Sequence, residues 1–224
     1  STLWIWNDEE AQADGVRFSS ADGRGNEAMK VAHVSVESLS DLPGSGAPNG
    51  FSIKVASNDD SDVDDWYVTY DGSRWTETLG PSVVKSFDSS TMPHVIIRQS
   101  DGTFQCGPCD GNDGRPSFAP RTVGDLNSVP DRGFVGKEIQ GMALYKNRLA
   151  FVYQDGVCFS EAGEFFNLYP TTVRQILASD AIDIKVDAGS AAPVYRHAIP
   201  FDQILMMWSD TAQAVVSGTD IFSG

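Results

Sequence analysis

The chain has 224 residues, and its hydrophobic fraction of 41% is enough to bury a core in one large β domain or two ordinary ones. Its 16 Lys and Arg residues are scattered and are outnumbered by 31 Asp and Glu residues. The resulting formal net charge of −15 argues against a protein that grips nucleic-acid phosphates. No apolar run approaches the ~20 residues needed to span a bilayer, so we expect no membrane partner.

The two ends of the sequence suggest a piece of a longer protein. The chain begins with Ser1, not with Met, and residues 215–224 have the pattern of a strand and a turn that lead onward. We therefore expect an internal fragment. The three cysteines are too few for a disulfide scaffold.

The first part of the chain predicts an α+β platform-like unit over residues 1–88. Residues 51–55 alternate apolar and polar side chains, as a half-buried strand does. Asp71-Gly72 is a turn signal between two strand-like runs and predicts a hairpin. The predicted elements of this unit are strands at 16–19, 29–36, 51–55, 66–70 and 74–78 and a helical turn at 38–42 that Pro43 ends.

The densest acidic run of the chain is residues 58–65, NDDSDVDD. Carboxylates at alternate positions suit a hard cation, so a calcium loop is one interpretation. The run lacks the central Gly and the closing Glu of an EF-hand. We favour a solvated loop between strands.

The second part of the chain predicts an all-β region over residues 89–224, a propeller or a sandwich, because short strands recur between turn signals. A three-stranded meander stands at its centre, with turns at Lys146-Asn147 and at Asp155-Gly156. We expect a type I′ turn at Asp155-Gly156, since that turn needs positive φ at both central residues. Strands are predicted at 95–99, 103–106, 141–145, 148–153, 157–160, 182–186, 204–208 and 212–217, and helical turns at 172–178.

Cys106-Gly107-Pro108-Cys109 has the spacing of a thioredoxin-type dithiol. The Gly- and Asp-rich residues 110–114 cannot open the helix that such a dithiol needs. A zinc site would need two more ligands, and Cys158, His33, His94 and His197 are not at motif spacing. We favour two cysteines in a mobile loop within residues 106–130, with a local disulfide left open.

Acidic residues also raise the possibility of glycoside hydrolysis, which needs two carboxylates facing one cleft. The candidates, Glu77, Glu138, Glu161 and Glu164, stand out only because acids are abundant. The three histidines lack a nucleophile motif, so no Ser-His-Asp triad is indicated. Residues 165–169, rich in aromatic side chains, could bind carbohydrate, but we favour a place in the core. We expect no enzyme activity and no cofactor.

Motifs spread in a fixed order over residues 39–218 resemble one family, the tail nozzle proteins (tail tubular protein B) of short-tailed bacteriophages. Each motif is weak by itself, and their shared order carries the resemblance. Residues 91–94 form the most specific match. The matching residues include Trp75, Glu77, Met92, Pro93, His94, Asn147, Arg148, Leu149, Gly163, Phe165, Phe166, Asn167, Asp180 and Asp183.

The resemblance implies a structural virion protein of the phage tail, made in the host cytoplasm. The chain is similar to proteins that form a hexameric ring and dock on a gatekeeper (tail tubular A) ring. Such proteins contact tail fibres and let DNA pass without specific binding. The implied fold combines an α+β platform-type domain with a β-propeller. A glycan-binding or glycan-hydrolysing tail domain is the alternative that we keep open.

The long loop departs from the family pattern. The family has a Trp and an Arg shortly before Gly124-Asp125, and Arg115 or Arg121 could stand in for that Arg. The family's Pro-Ser-Phe before a Val-Gly pair is also changed here, to residues 131–134.

Overall fold

The computed structural model describes residues 31–32, 34–56, 65–186 and 193–217. Within these ranges the chain is mainly β, with thirteen strands in four sheets, none of them closed, and one short 3-10 turn. The predicted mainly β class is confirmed. The chain divides into two compact units, Ser1–Val83 with Val123–Ser128 and Val84–Thr122 with Val129–Gly224, called unit 1 and unit 2 below.

Unit 1 is built on a four-stranded sheet in chain order. Its strands are β1 (Ser35–Val36), β2 (Ser52–Val55), β3 (Trp66–Tyr70) and β4 (Trp75–Thr78), with β1 parallel to β2 and the other pairs antiparallel. Alternate residues of β2 and β3 are buried, among them Ile53, Val55 and Val68, because successive side chains of a strand point to opposite faces. The predicted helical turn is a 3-10 turn, Leu39–Asp41.

The hairpin between β3 and β4 is held by an aspartate at its turn. The Asp71 carboxylate oxygen Oδ1 accepts hydrogen bonds from the Ser73 N–H (2.8 Å), the Ser73 hydroxyl (2.7 Å) and the Arg74 N–H (2.8 Å). This is the local capping by which Asp favours turns. The same acceptor role recurs at Asp88, Asp101, Asp110 and Asp125. Several acidic residues of the chain therefore serve to cap turns.

We expect the carboxyl group of Asp71 to titrate far below its ordinary range. Hydrogen bonds from the Ser73 hydroxyl and from the N–H groups of Arg74 and Ser73 lower the pKa of Asp71 from 3.8 to about 2. The turn is thus fully capped above about pH 4 and loses its cap as the pH falls through about 2. An NMR titration should show this midpoint, and Ser73→Ala should raise it. An unchanged midpoint in Ser73→Ala would contradict the assignment.

Unit 2 contains a two-stranded, a four-stranded and a three-stranded sheet in its described residues. The two-stranded hairpin is β5 (His94–Arg98) with β6 (Phe104–Pro108). The four-stranded sheet has the order β10-β9-β8-β7, and the three-stranded sheet the order β11-β12-β13, all pairs being antiparallel. Their bounds are β7 (Ile139–Tyr145), β8 (Arg148–Tyr153), β9 (Gly156–Phe159), β10 (Ile182–Lys185), β11 (Tyr195–Phe201), β12 (Ile204–Ser209) and β13 (Gln213–Ser217).

The four-stranded meander sheet is the middle layer of unit 2. On one of its faces, Val152 and Phe159 pack with Leu205 and Met207 of the three-stranded sheet. On the other face, Phe151 and Cys158 pack with residues from irregular segments, Met92, Phe134 and Leu168. Alternate residues of β8 therefore pack into two different hydrophobic cores, since successive side chains of a strand point to opposite faces.

The three predicted meander strands are confirmed, but the turn at Asp155-Gly156 is not the one expected. The turn residues are Gln154 and Asp155, and neither they nor Gly156 have positive φ, so the type I′ prediction is wrong there. Gly156 lies inside β9. An added Cβ would lie 2.5 Å from the Tyr153 hydroxyl oxygen and 2.6 Å from the Ile184 carbonyl oxygen. Close packing, not turn geometry, requires this glycine.

Two further expectations concern helical and strand content. The helical turns predicted at 172–178 are wrong, because this segment forms bends and turns. The backbone N–H of Leu177 donates to Asp180 Oδ2 (2.8 Å) and the Ala178 carbonyl accepts from Arg148 Nη2 (2.6 Å). Side chains, one nearby and one distant in sequence, therefore take the backbone groups that a helix would use. Strand β11 was not predicted from the sequence.

Several sequence expectations fall outside the described residues. These are the strand at 16–19, residues 29, 30 and 33 of the strand predicted at 29–36, and most of the acidic run at 58–65. Residues 31, 32 and 34 are described and are not in a strand, so only Ser35–Val36 of the strand predicted at 29–36 is confirmed. The last residue of that run is described, and it is not solvated: Asp65 is buried and its Oδ2 lies 2.5 Å from the Lys54 ammonium.

Candidate functional site

The turn between β7 and β8 positions Arg148, one of the motif residues. Lys146 (φ 47°) and Asn147 (φ 58°) both have positive φ, which is the type I′ geometry that suits a two-residue hairpin. The turn signal predicted at these two residues is therefore confirmed. The Asn147 carbonyl accepts from the Gly163 N–H (2.8 Å), and Gly163 has a φ of +83° that favours glycine.

Arg148 is almost fully buried, and its guanidinium binds three backbone carbonyl groups. Its Nη1 donates to the carbonyl oxygens of Ser160 (2.7 Å) and Asp180 (2.6 Å), and its Nη2 donates to that of Ala178 (2.6 Å). Burial lowers the pKa of Arg148, and the carboxylates of Asp180 and Glu161 oppose that shift. The guanidinium thus joins the end of β9 to the segment before β10.

Asn167 fixes the tight turn that follows β9. Its side-chain amide donates to Glu161 Oε2 (2.6 Å), its side-chain oxygen accepts from the Tyr169 N–H (3.1 Å), and its carbonyl accepts from the Glu161 N–H (2.8 Å). Leu149 of β8 also stabilises the start of this turn, since its N–H donates to the Ser160 hydroxyl (3.0 Å). These bonds set the place of the aromatic residues around Asn167.

Asp183, on β10, links β8 to a loop that is distant in sequence. Its Oδ1 accepts from the Tyr153 hydroxyl (2.5 Å), and its Oδ2 accepts from the Gly133 N–H. Burial and this hydrogen bond to Asp183 raise the pKa of Tyr153 above its usual range. In this partly buried pair the phenol is the donor and the carboxylate is the acceptor.

Tyr169 is the centre of an aromatic layer over the meander. Phe87 stacks on it with ring centroids 5.1 Å apart, and the guanidinium carbons of Arg121 and Arg132 lie 4.6 Å and 5.1 Å from its ring centroid. Arg121 also binds Asp131 (2.8 Å). Cations over a ring face are attracted by its quadrupole. The other rings of the layer are Phe118, Phe134, Phe151 and Phe166.

Sequence reasoning named only part of this network. Residues 165–169 were expected in the core, and Leu168 and Tyr169 are buried there, whereas Phe165 is partly exposed. Arg121 was considered as a stand-in for a family arginine. The contributions of Phe87, Phe118 and Arg132 were missed, because they lie far from residue 169 in the chain and carry no local pattern.

The remaining motif residues belong to other elements of the two units. In unit 1, Trp75 and Glu77 lie on β4, and the indole N–H of Trp75 donates to the Pro43 carbonyl (2.8 Å). In unit 2, Met92 is buried and the Pro93 carbonyl accepts from the Cys109 thiol (3.3 Å). His94 is exposed at the start of β5. The motif residues therefore form no single constellation.

The cysteine pair does not have the surroundings of a redox dithiol. Cys106 lies in strand β6, so it is not in a mobile loop as expected, whereas Cys109 follows the strand and is buried. Burial raises the pKa of Cys109, and the Asp110 carboxylate adds to this. No helix follows it. The loop is held by Arg115, whose guanidinium binds Asp110 (3.0 Å) and Asp113 (3.2 Å).

We expect one fast-reacting thiol in the native chain and three after denaturation. Cys106 is exposed, whereas Cys109 and Cys158 are buried and burial raises the pKa of both thiols. Since the thiolate is the reactive form, the buried pair should be slow. Reaction with a chromogenic disulfide reagent measures this, and Cys106→Ser should remove the fast phase. Two fast thiols in the native chain would contradict the prediction.

The carboxylates considered for catalysis serve other contacts or lie apart. Glu161 accepts from Asn167, Glu138 accepts from the Gln140 side-chain amide (3.2 Å), and Glu77 belongs to unit 1. Within the described ranges, no group of three or more His, Cys, Asp or Glu side chains is placed to hold a metal ion. A search of the same residues finds no helix long and apolar enough to cross a membrane.

A cleft of about 1060 Å³ opens beside the aromatic layer of unit 2. Its wall includes Phe87 and Tyr169 from that layer and Met142 from β7. Both polar and apolar residues line it, namely Val84, Ser86, Asp88, Thr91, Met92, Pro93, Asp131 and residues 134–141.

Comparison with known proteins gives one family and one curated relative. A family model described as bacteriophage nozzle protein matches residues 1–224. The chain is 31% identical over 204 residues to "Tail tubular protein gp12" of Escherichia phage T7, which covers 90% of this chain and 25% of that protein. Together these findings define a structural protein of a phage tail. The chain belongs to the bacteriophage nozzle protein family.

The resemblance to tail nozzle proteins predicted from ordered motifs is thereby confirmed, and the glycan-directed alternative gains no support. The chain spans about a quarter of the length of the curated relative that it matches.

Proposed function

We propose that the chain forms part of the wall of a tail nozzle, as a non-enzymatic structural component of a phage virion. The family match over residues 1–224 carries this proposal. Two side-chain networks of unit 2 support it, because Arg148 binds backbone carbonyls and the Tyr153 hydroxyl donates to Asp183. Such hydrogen bonds stabilise the fold of unit 2.

In the full-length protein we place this chain in a homo-hexameric ring that docks on the gatekeeper (tail tubular A) ring and contacts tail fibres. The proposed domains are an α+β platform-type domain at residues 1–88 and an incomplete propeller-type region at residues 89–224. The resemblance to nozzle proteins is the basis for this arrangement, and the name of the T7 relative, a tail tubular protein, agrees with it.

The charge of the chain suits a surface past which DNA slides without specific binding. The net charge of −15 repels phosphates, which would otherwise be held by Lys and Arg. Turn hydrogen bonds lower the pKa of Asp71, Asp88 and Asp101, so these groups stay ionised at neutral pH. Several basic groups are bound within the chain, including those of Lys54, Arg115, Arg121, Lys137 and Arg148.

The test is the oligomeric mass of the longer parent protein, alone and mixed with its gatekeeper ring. We expect a hexamer, or a monomer that becomes a ring on mixing, as measured by light scattering or native mass spectrometry. A monomer that ignores the gatekeeper ring would overturn the proposal. Glycan-binding assays with Glu138→Gln and Glu161→Gln would then be the next measurement.

A further inference from the structure

The cleft of unit 2 leaves apolar side chains uncovered where a core layer ends. The aromatic layer covers β8 at Phe151, but it does not cover the neighbouring positions of the edge strand. Met142 pairs with Phe151 across the sheet, yet Met142 is 56% exposed whereas Phe151 is 1% exposed. Val84 (71%) and Val135 (47%), which also line the cleft, are exposed too. Clustered exposed apolar groups of this kind mark interaction sites.

Strand β7, whose first half lines this cleft, is an edge strand of its sheet. Strand β11 approaches it at Gly141, where an added Cβ would lie 3.0 Å from the Arg196 carbonyl oxygen. β7 is the outer strand of the order β10-β9-β8-β7, and no described strand pairs with its outer edge. An edge strand presents free N–H and C=O groups to which an extended segment can add. Residues 134–142, which lead into β7 and form its first half, all line the cleft.

The rim of the cleft is acidic. Asp88, Asp131 and Glu138 line it against a single ammonium group, that of Lys137, and Lys137 is bound to Asp155 (3.2 Å). Asp131 is bound to Arg121, but in the described part of the chain neither Asp88 nor Glu138 forms a salt bridge. Carboxylates without basic partners beside exposed apolar groups favour a ligand with the opposite charge.

We propose that this cleft docks an extended peptide segment of a partner protein, with an aliphatic or aromatic anchor flanked by Lys or Arg. The anchor packs against Val135 and Met142, and the basic side chains reach Glu138 and Asp88. A second copy of this chain is a poor occupant, because its own net charge of −15 meets an acidic rim. The inference goes beyond the nozzle role and does not depend on it.

The test is binding of a short fluorescent peptide in which lysine alternates with valine and isoleucine, followed by fluorescence anisotropy with the full 224-residue chain. One control peptide has glutamate in place of lysine, and another has serine in place of the aliphatic residues. We expect the basic apolar peptide to bind, its affinity to fall with added salt, and both controls to bind at least about tenfold more weakly.

Matched variants locate the site. Val135→Ser and Glu138→Lys should each weaken peptide binding about tenfold, whereas Ile176→Ser and Glu164→Lys, exposed positions that do not line the cleft, should leave it unchanged. Hydrogen exchange should show slower exchange in β7 on binding. All these side chains are exposed or half-exposed, so the variants are expected to fold.

Three results would overturn the inference. They are no binding of the basic apolar peptide up to about 1 mM, equal binding of the glutamate peptide, or equal effects of the cleft and control variants. Self-association of the chain that Val135→Ser abolishes, without any peptide binding, would show that a second copy is the occupant instead. The ring assay of the parent protein is independent of every one of these outcomes.

Discussion

Arg148→Met is expected to destabilise unit 2 by about 3–5 kcal/mol, the largest effect among the substitutions considered. The guanidinium satisfies the carbonyl oxygens of Ser160, Ala178 and Asp180 at 2.6–2.7 Å, and methionine can satisfy none of them. A buried acceptor left without a donor costs the desolvation of that group, about 1–3 kcal/mol. The carboxylate of Asp180 would also lose a buried positive neighbour.

Denaturant unfolding followed by circular dichroism measures this loss, and hydrogen exchange should place it at the end of β9 and the start of β10. Arg148→Lys should lie between wild type and Arg148→Met, since an ammonium keeps the charge but cannot reproduce the fork geometry. Arg98→Met is the matched control, because Arg98 is exposed on β5. If Arg148→Met costs no more than this control, the network does not hold unit 2 together.

Gly156→Ala is expected to cost about 3 kcal/mol, as steric overpacking at a position that cannot relax. The added Cβ would lie 2.5 Å from the Tyr153 hydroxyl oxygen and 2.6 Å from the Ile184 carbonyl oxygen. Ile184 is paired to Val157 in the sheet, and the Tyr153 hydroxyl is bound to Asp183 (2.5 Å). Neither neighbour can move without breaking a hydrogen bond or a strand pair.

A double-mutant cycle with Tyr153→Phe tests the hydroxyl contact. Removing the hydroxyl takes away the contact at 2.5 Å, but the ring carbon Cζ would still lie 2.6 Å from the added Cβ. Tyr153→Phe should therefore cost only somewhat less in the Gly156→Ala background than in the wild type. Gly44→Ala is the control: its Cβ would meet no heavy atom within 4 Å, and we expect a change of no more than about 1 kcal/mol. Additive effects in the cycle would show that the Tyr153 hydroxyl is not the obstacle.

Local patterns predicted most of the strands. Alternation at residues 66–70 predicted β3, because the side chains of a half-buried strand alternate between core and solvent. A short apolar run between two turn signals predicted β8 at residues 148–153. The Lys146-Asn147 turn was predicted for the same kind of reason, since its backbone geometry is decided within a few residues. Strand β11 was not predicted, because it contains Pro200 and a proline argues against a strand except at a sheet edge. In the structure, β11 is such an edge strand.

The sites were less predictable than the strands. Arg148 and Asp183 were named through family motifs, but nothing in the motifs shows that the first binds carbonyls up to 32 residues away or that the second binds Gly133, 50 residues away. The cleft beside Met142 left no signal in the sequence, because exposure of an apolar strand residue depends on which distant loops cover it.

By itself, the sequence determined the β class, the hairpins and the family. Periodicity and turn residues act over a few positions, and the order of the family motifs can be read directly from the sequence. Only the tertiary structure decided the role of Gly156, the irregular path of residues 172–178 and the partners of Tyr169. Each of these depends on groups that come together through folding. Steric contact and hydrogen bonding at long sequence separation outweigh local preference there.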